Sequence, residues 1–148
     1  MKITQIADTD KINFMELLLL ADEDSKMIEN YLHRGEMFAL YDDDLKSVCV
    51  VTRESHDICE LKNIATYEKW QGRGYAGKLL DHLFSQYRGN CATMLVGTGD
   101  IPRILRFYEK YGFQISHRIP NFFTDHYDHP MVEEGIQLVD MVYLSKRL

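Results

Sequence analysis

No apolar run in this 148-residue chain approaches the ~18 residues that cross a membrane. The longest, Leu17-Leu18-Leu19-Leu20-Ala21, suits a short piece of buried helix. The first residues, Met1-Lys2-Ile3-Thr4-Gln5, lack the apolar stretch and small-residue cleavage site of a secretory signal. A cytoplasmic protein without a membrane partner is expected. Cysteine is scarce and odd in number: Cys49, Cys59 and Cys91 have no close spacing, which argues against a disulfide framework and against zinc. Cys49 and Cys59 fall in strand-like runs, where a small buried thiol packs well. Positive charge is in deficit, with a net charge of −6. Nucleic-acid binding needs clustered Lys and Arg to displace counterions and is not expected. A cationic substrate such as a free amine is compatible with that charge. Repeats, low-complexity tracts and linkers are also missing.

What remains is ordinary globular material, 45% hydrophobic and 27% charged. Its length suits one domain over 1–148 with one core. Residues 2–7 alternate as a strand, and 12–20 have the pattern of a helix. Asp24 can cap a second helix over 25–34, with Gly35 as the residue that closes it. Residues 37–41 and 47–51 form a hairpin around Asp42-Asp43-Asp44, and a third strand covers 58–66. Leu79, Leu80, His82, Leu83 and Tyr87 repeat at helical spacing over 74–88, and Gly89-Asn90 stops them. A strand over 92–96, a helix over 101–111 ending at Gly112, and a strand from Phe113 follow. A long aromatic loop at 119–135 leads to a last strand near 136–144. The expected fold is α/β (mixed α+β), with helices on both faces of the sheet.

One segment stands out: Gln71-Gly72-Arg73-Gly74-Tyr75-Ala76-Gly77, which opens a helix after a strand. It contains G-x-G-x-x-G. In a dinucleotide-binding fold, however, the first glycine ends the strand directly and an acidic residue follows ~20 positions later. Here Glu68-Lys69-Trp70-Gln71 intervene, and Asp100 lies too far on. The dinucleotide reading is the weaker one. The alternative frame, Gln71-x-x-Gly74-x-Ala76, has a direct physical use. A helix start offers free N–H groups and partial positive charge, and glycine lets backbone approach a pyrophosphate. Arg73 adds a cation. Trp70 reads as a packing residue.

That frame resembles the Q/R-x-x-G-x-G/A signature of the GNAT superfamily of N-acetyltransferases. Leu61-x-x-Ile64-Ala65 looks like the family's fourth strand, and Phe107-Tyr108-Glu109-Lys110-Tyr111-Gly112-Phe113 resembles its F-Y-x-K-x-G-F motif. The segment from Asn121-Phe122-Phe123 to Asp140-Met141 is similar to the bacterial YvbK-like subgroup. The resemblance implies a mixed, mostly antiparallel sheet of about seven strands flanked by about four helices. It implies acetyl-CoA as donor, bound by Gln71, Gly72, Arg73, Gly74, Tyr75, Ala76 and Gly77, with no metal. Ile64, Ala65 and Thr66 would hold the pantetheine arm through backbone groups. Many family members have asparagine where Asp100 stands. An ionised aspartate cannot donate, so Asp100 is expected to cap a helix, with Thr98 as the cofactor contact.

For the chemistry, Tyr108 is the implied acid near the thioester sulfur, with a packed aromatic as the alternative. Glu60 falls where some members carry a catalytic glutamate; an exposed strand carboxylate is the alternative. Glu36, Glu54 and a chain of waters are rival bases. Phe122, Phe123, His126 and Tyr127 are candidates for an aromatic substrate wall, against plain packing or a homodimer contact. Asp125, His126, Asp128 and His129 crowd five positions without a further ligand motif, so a metal site is not expected. The implied reaction moves acetyl to a primary amine by direct attack in a ternary complex, with a small-molecule amine favoured over a protein lysine or N-terminus. A non-catalytic acyl-CoA-binding module is the runner-up.

Overall fold

The computed structural model describes all 148 residues, which divide into two compact units, Met1–Ala92 with Leu148, and Thr93–Arg147. In the first unit, β1 (Lys2–Ile6), β2 (Glu36–Asp42), β3 (Asp44–Arg53) and β4 (Ile58–Thr66) form an antiparallel meander. Met37, Phe38, Ala39 and Leu40 are all buried because β2 is covered on both faces. On one face Met37, Ala39, Val48, Val50 and Ala65 pack against Leu17 and Leu18 of α1 (Met15–Leu18) and Ile28 and Leu32 of α2 (Ser25–Leu32). On the other face Phe38 meets His82 and Tyr87 of α3 (Tyr75–Tyr87) edge-on. Helices therefore lie on both faces of this sheet, as the patterning requires.

Local chemistry explains the elements and the departures from expectation. The Asp24 carboxylate accepts the Lys26 N–H and caps α2. The expected helix over 12–20 is instead a 3-10 stretch, Asp8–Phe14, running into the single turn α1. Gly35 does not close α2 with a left-handed residue; α2 ends at Leu32. Gly35 is there for close approach. A Cβ would come within 2.7 Å of Val50 Cγ1 and 3.0 Å of the Tyr31 carbonyl. Lys11 seals this corner, its buried ammonium donating to the carbonyls of Leu32 and Gly35 near the C-terminus of α2. The three cysteines are free and buried. Burial pushes the Cys49 thiol up to about 12, and burial with the neighbouring Cys91 does the same for Cys59.

In the second unit, β5 (Thr93–Gly99), β9 (Met141–Arg147) and β6 (Gln114–Ile119) form an antiparallel sheet with β9 in the middle. With β1–β4 this makes seven strands, all antiparallel within their units, matching the expected number and character. α4 (Pro102–Lys110) precedes β6. The expected structureless loop at 119–135 holds a short helix, α5 (Phe122–His126), and the first strand of a hairpin, β7 (Val132–Glu133) with β8 (Ile136–Gln137). Ile136 and Gln137 belong to that hairpin, so the last strand begins at Met141 and not near 136.

Candidate functional site

The glycine run forms a tight turn into a helix, as its composition suggests. A 3-10 turn, Glu68–Trp70, leads from β4, and the Gln71 amide donates back to the Thr66 carbonyl at 3.1 Å, tying loop to strand. Gly72 and Gly74 have φ of +78° and +86°, and Gly74 is the residue that starts α3. A Cβ on either would meet nothing within 4 Å, so the backbone borders open space. By helix geometry, the N–H groups of Tyr75, Ala76 and Gly77 have no intrahelical carbonyl. These features suit a diphosphate. The Tyr75 side chain turns inward: it is buried, and its hydroxyl donates to Asp42 at 2.8 Å. Only its backbone is left to serve the loop. Gly77 is buried inside the first turn of α3.

Trp70 does more than pack. The Lys46 ammonium lies 3.5 Å from its ring centre, that of Lys69 4.7 Å, and the Arg73 guanidinium 4.8 Å. Lys46 is held there by a short ion pair with Asp44. Asp44, Leu45, Tyr67, Glu68, Lys69 and Trp70 line an adjoining pocket of about 490 Å³. Sequence reading picked out Arg73 alone. Lys46 was invisible because its strand position says nothing of the ring it covers.

Glu60 lies on β4 and is 7% exposed, so it is not a surface carboxylate. Lys62 Nζ pairs with it at 2.9 Å. Of its rivals, Glu36 accepts from the Tyr87 hydroxyl at 2.6 Å and from Gln5 at 3.1 Å, on the α3 side. Glu54 accepts from Thr52 and Arg34, and the Thr52 hydroxyl, with Arg34, holds its carboxyl below the ordinary range. Register separates these groups. Glu60 stands opposite Thr52 and Glu36 opposite Val51, so they point to opposite faces of the sheet. Ile64 and Thr66 are half-buried and Ala65 is buried.

In the second unit, Tyr108 is buried on α4, with Phe107 and Phe113 edge-on at 5.2 and 5.6 Å. Thr98 is half-buried on β5, opposite Val142. Asp100 does not cap α4, whose first residue follows Ile101 with no side-chain cap. Arg118 engages it instead at 2.9 Å. Phe123 is core, packed with Ile101 and Leu138, and Tyr127 stacks on it. Phe122 is half-buried and His126 exposed, the two stacked at 4.4 Å. No group of three or more His, Cys, Asp or Glu is placed to hold a metal ion.

Residues 33–115, more than half of the chain, match the family described as the acetyltransferase (GNAT) domain. The chain belongs to the GNAT acetyltransferases. It is 36% identical to the uncharacterized N-acetyltransferase YvbK of Bacillus subtilis (strain 168), over 87% of this chain and 85% of that protein. A GNAT family acetyltransferase from Elizabethkingia anophelis, solved with acetyl-CoA bound, superposes with a TM-score of 0.93 at 33% identity, covering 99% and 97% of the two chains. A Bacillus subtilis acetyltransferase solved in complex with CoA gives 0.89 at 34% identity, covering 99% and 98%. The chain is thus an acyltransferase with acetyl-CoA as its donor, and the YvbK-like resemblance read from the sequence stands. The dinucleotide reading falls.

Proposed function

We propose that this GNAT enzyme transfers the acetyl group of acetyl-CoA to a primary amine on a small molecule, by direct attack in a ternary complex, in the cytoplasm, with residues 1–148 acting as one catalytic domain. The open backbone cradle at Gly72 and Gly74, at the start of α3, carries this reading. The loop 71–77 receives the diphosphate, with Arg73 as its cation. The backbone of Ile64, Ala65 and Thr66 holds the pantetheine arm, and Thr98 adds a contact. Glu60 takes one proton from the acceptor ammonium, exposing the lone pair. As nitrogen bonds the thioester carbon, the C–S bond breaks, and Tyr108 gives its phenolic proton to sulfur. Nitrogen then releases its remaining excess proton, Glu60 gives its proton up to solvent, and solvent reprotonates Tyr108. Phe122, His126 and Tyr127 contribute to the acceptor's surroundings, with Phe123 behind them as support. A net charge of −6 and the buried Glu60 favour a cationic acceptor.

The test combines two measurements. Acetyl-CoA should raise the melting temperature, since a ligand of the folded state alone stabilises it, while NAD should not. Thiol release from acetyl-CoA should then depend on an added amine, across a panel of polyamines, aryl alkylamines, aminoglycosides and peptides. Binding without thiol release for any amine would leave an acyl-CoA-binding module.

A further inference from the structure

We propose that Asn63 is a positioning residue for the acceptor. Its Oδ1 accepts a hydrogen bond from the acceptor's primary ammonium, on the same face of β4 that carries Glu60. This rests on the amine-acetylating reading above.

The first observation is an irregular register. In a regular strand, residues three apart point to opposite faces. Glu60 and Asn63 do not. Thr52 pairs with Glu60, Val51 with Leu61 and Val50 with Asn63, so Lys62 is an extra residue, a β-bulge. Val50 and Thr52 are two apart on β3 and share a face, so Asn63 and Glu60 share it too. Val50 belongs to the core under α1 and α2, which identifies that face. The bulge thus puts a carboxylate and an amide at neighbouring same-face positions of one buried strand, normally about 7 Å apart. An ammonium between two such oxygens can reach both, since each N–H···O bond spans about 2.9 Å.

The second observation is an orphan. Asn63 is 5% exposed, and its Nδ2 donates to the Leu18 carbonyl at 3.1 Å and to the Tyr31 hydroxyl at 3.0 Å. Its Oδ1 is buried with no hydrogen-bond partner. Flipping the amide does not help, because the Leu18 carbonyl can only accept. Buried acceptors are nearly always satisfied, so Oδ1 calls for a donor from outside the chain, a ligand or a water. Both N–H groups are anchored, one to the end of α1 and one to α2, so the carbonyl cannot rotate away. It is fixed in advance of any ligand, which is how a positioning group is built.

The third observation is the chemistry of the surroundings. Glu60 and Glu54 stand beside β3 and β4, each already paired with a cation, Lys62 and Arg34, while burial and the Asp22 charge keep the Tyr31 hydroxyl protonated. The orphaned Oδ1 calls for a group that carries N–H or O–H, and an ammonium is one. A primary ammonium has three N–H groups, enough for Asn63, for Glu60 and for one more partner. A tertiary ammonium has one and cannot serve both.

Two substitutions separate this role from a structural one, measured with whichever of spermidine, 2-phenylethylamine and an alanyl peptide the wild-type enzyme acetylates. Asn63→Leu removes Oδ1 and Nδ2 together. Asn63→Asp keeps an acceptor at the Oδ1 position, loses the bond to the Leu18 carbonyl and can keep Tyr31 only as a donor to the carboxylate. We expect Asn63→Leu to raise the acceptor KM at least about tenfold, roughly one hydrogen bond to a charged group. Its acetyl-CoA Kd should stay within about twofold. We expect Asn63→Asp to hold the acceptor KM within about threefold although it melts lower. If both variants raise the KM alike, the Nδ2 anchors are what matter and the proposal is overturned. It is also overturned if neither raises it, as when a buried water satisfies Oδ1. Should Asn63→Leu not fold, Asn63→Ala, which also removes both Oδ1 and Nδ2, takes its place beside Asn63→Asp under the same outcomes. Acetyl-CoA binding with no amine turned over by the wild type would instead remove the parent reading.

Discussion

Gly74→Ala separates backbone strain from ligand exclusion at the residue that starts α3. Gly74 sits at φ +86° and ψ 8°, and a Cβ there touches nothing within 4 Å. The substitution therefore makes no clash in the free protein and carries only the left-handed penalty, about 1–2 kcal/mol. For a chain of this size each kcal/mol lowers Tm by about 2–4 °C, so the melt should move down by about 2–8 °C. The methyl group nevertheless enters the open space assigned to the diphosphate, and acetyl-CoA affinity should fall about tenfold or more, ~1.4 kcal/mol. A matched control lies at the other end of the same helix. Gly89 has φ +93° and equally open surroundings, and α3 has 13 residues, which at about 1.5 Å each places Gly89 about 20 Å away. Gly89→Ala should melt lower by a similar amount and bind acetyl-CoA as the wild type does. Scanning calorimetry and isothermal titration on both variants give the four numbers. Equal acetyl-CoA affinity in Gly74→Ala and Gly89→Ala would refute the placement of the diphosphate.

Lys11→Met keeps the apolar stem and removes the ammonium that bonds the Leu32 and Gly35 carbonyls, so urea unfolding should show a loss of about 2–4 kcal/mol; an unchanged midpoint would mean that water replaces the ammonium freely. Thr52→Val removes the main group holding Glu54 below its ordinary 4.5. A depressed carboxyl stabilises the fold above the unfolded value and loses that contribution on acidification. The stability gap between wild type and variant should therefore be full at neutral pH and shrink below about pH 4.5; a gap that is constant with pH would assign it to packing. Tyr108→Phe should lower turnover by about a hundredfold with acetyl-CoA affinity retained, and unchanged turnover with chemistry rate-limiting would return Tyr108 to the aromatic cluster it shares with Phe107 and Phe113.

The features read correctly from sequence are those whose cause is local. Closely spaced glycines before a periodic helix read as a tight turn, so the backbone geometry of the loop at 71–77 was legible, as was the Asp24 cap. The span of β4 was legible from its boundaries, 58–66. Its bulge was not, because an extra residue exists only relative to β3; the face shared by Glu60 and Asn63 followed only from the register. Long-range pairing explains the other gaps. Asp100 looked like a helix cap until Arg118, 18 residues on, claimed it. Trp70 looked like filler until Lys46 arrived over its ring from β3. The hairpin at 132–137 escaped because two-residue strands leave too short a pattern to read.

Direct attack in a ternary complex is tested most simply by intact-protein mass spectrometry alongside thiol detection. The enzyme is mixed with acetyl-CoA alone, and then with an amine acceptor added. With acetyl-CoA alone, no thiol should be released and the protein mass should not change. On adding the amine, free thiol and N-acetylated amine should appear one for one, still with no acetylated enzyme. Thiol release without the amine, together with a protein heavier by one acetyl group, would show a covalent intermediate and contradict direct transfer.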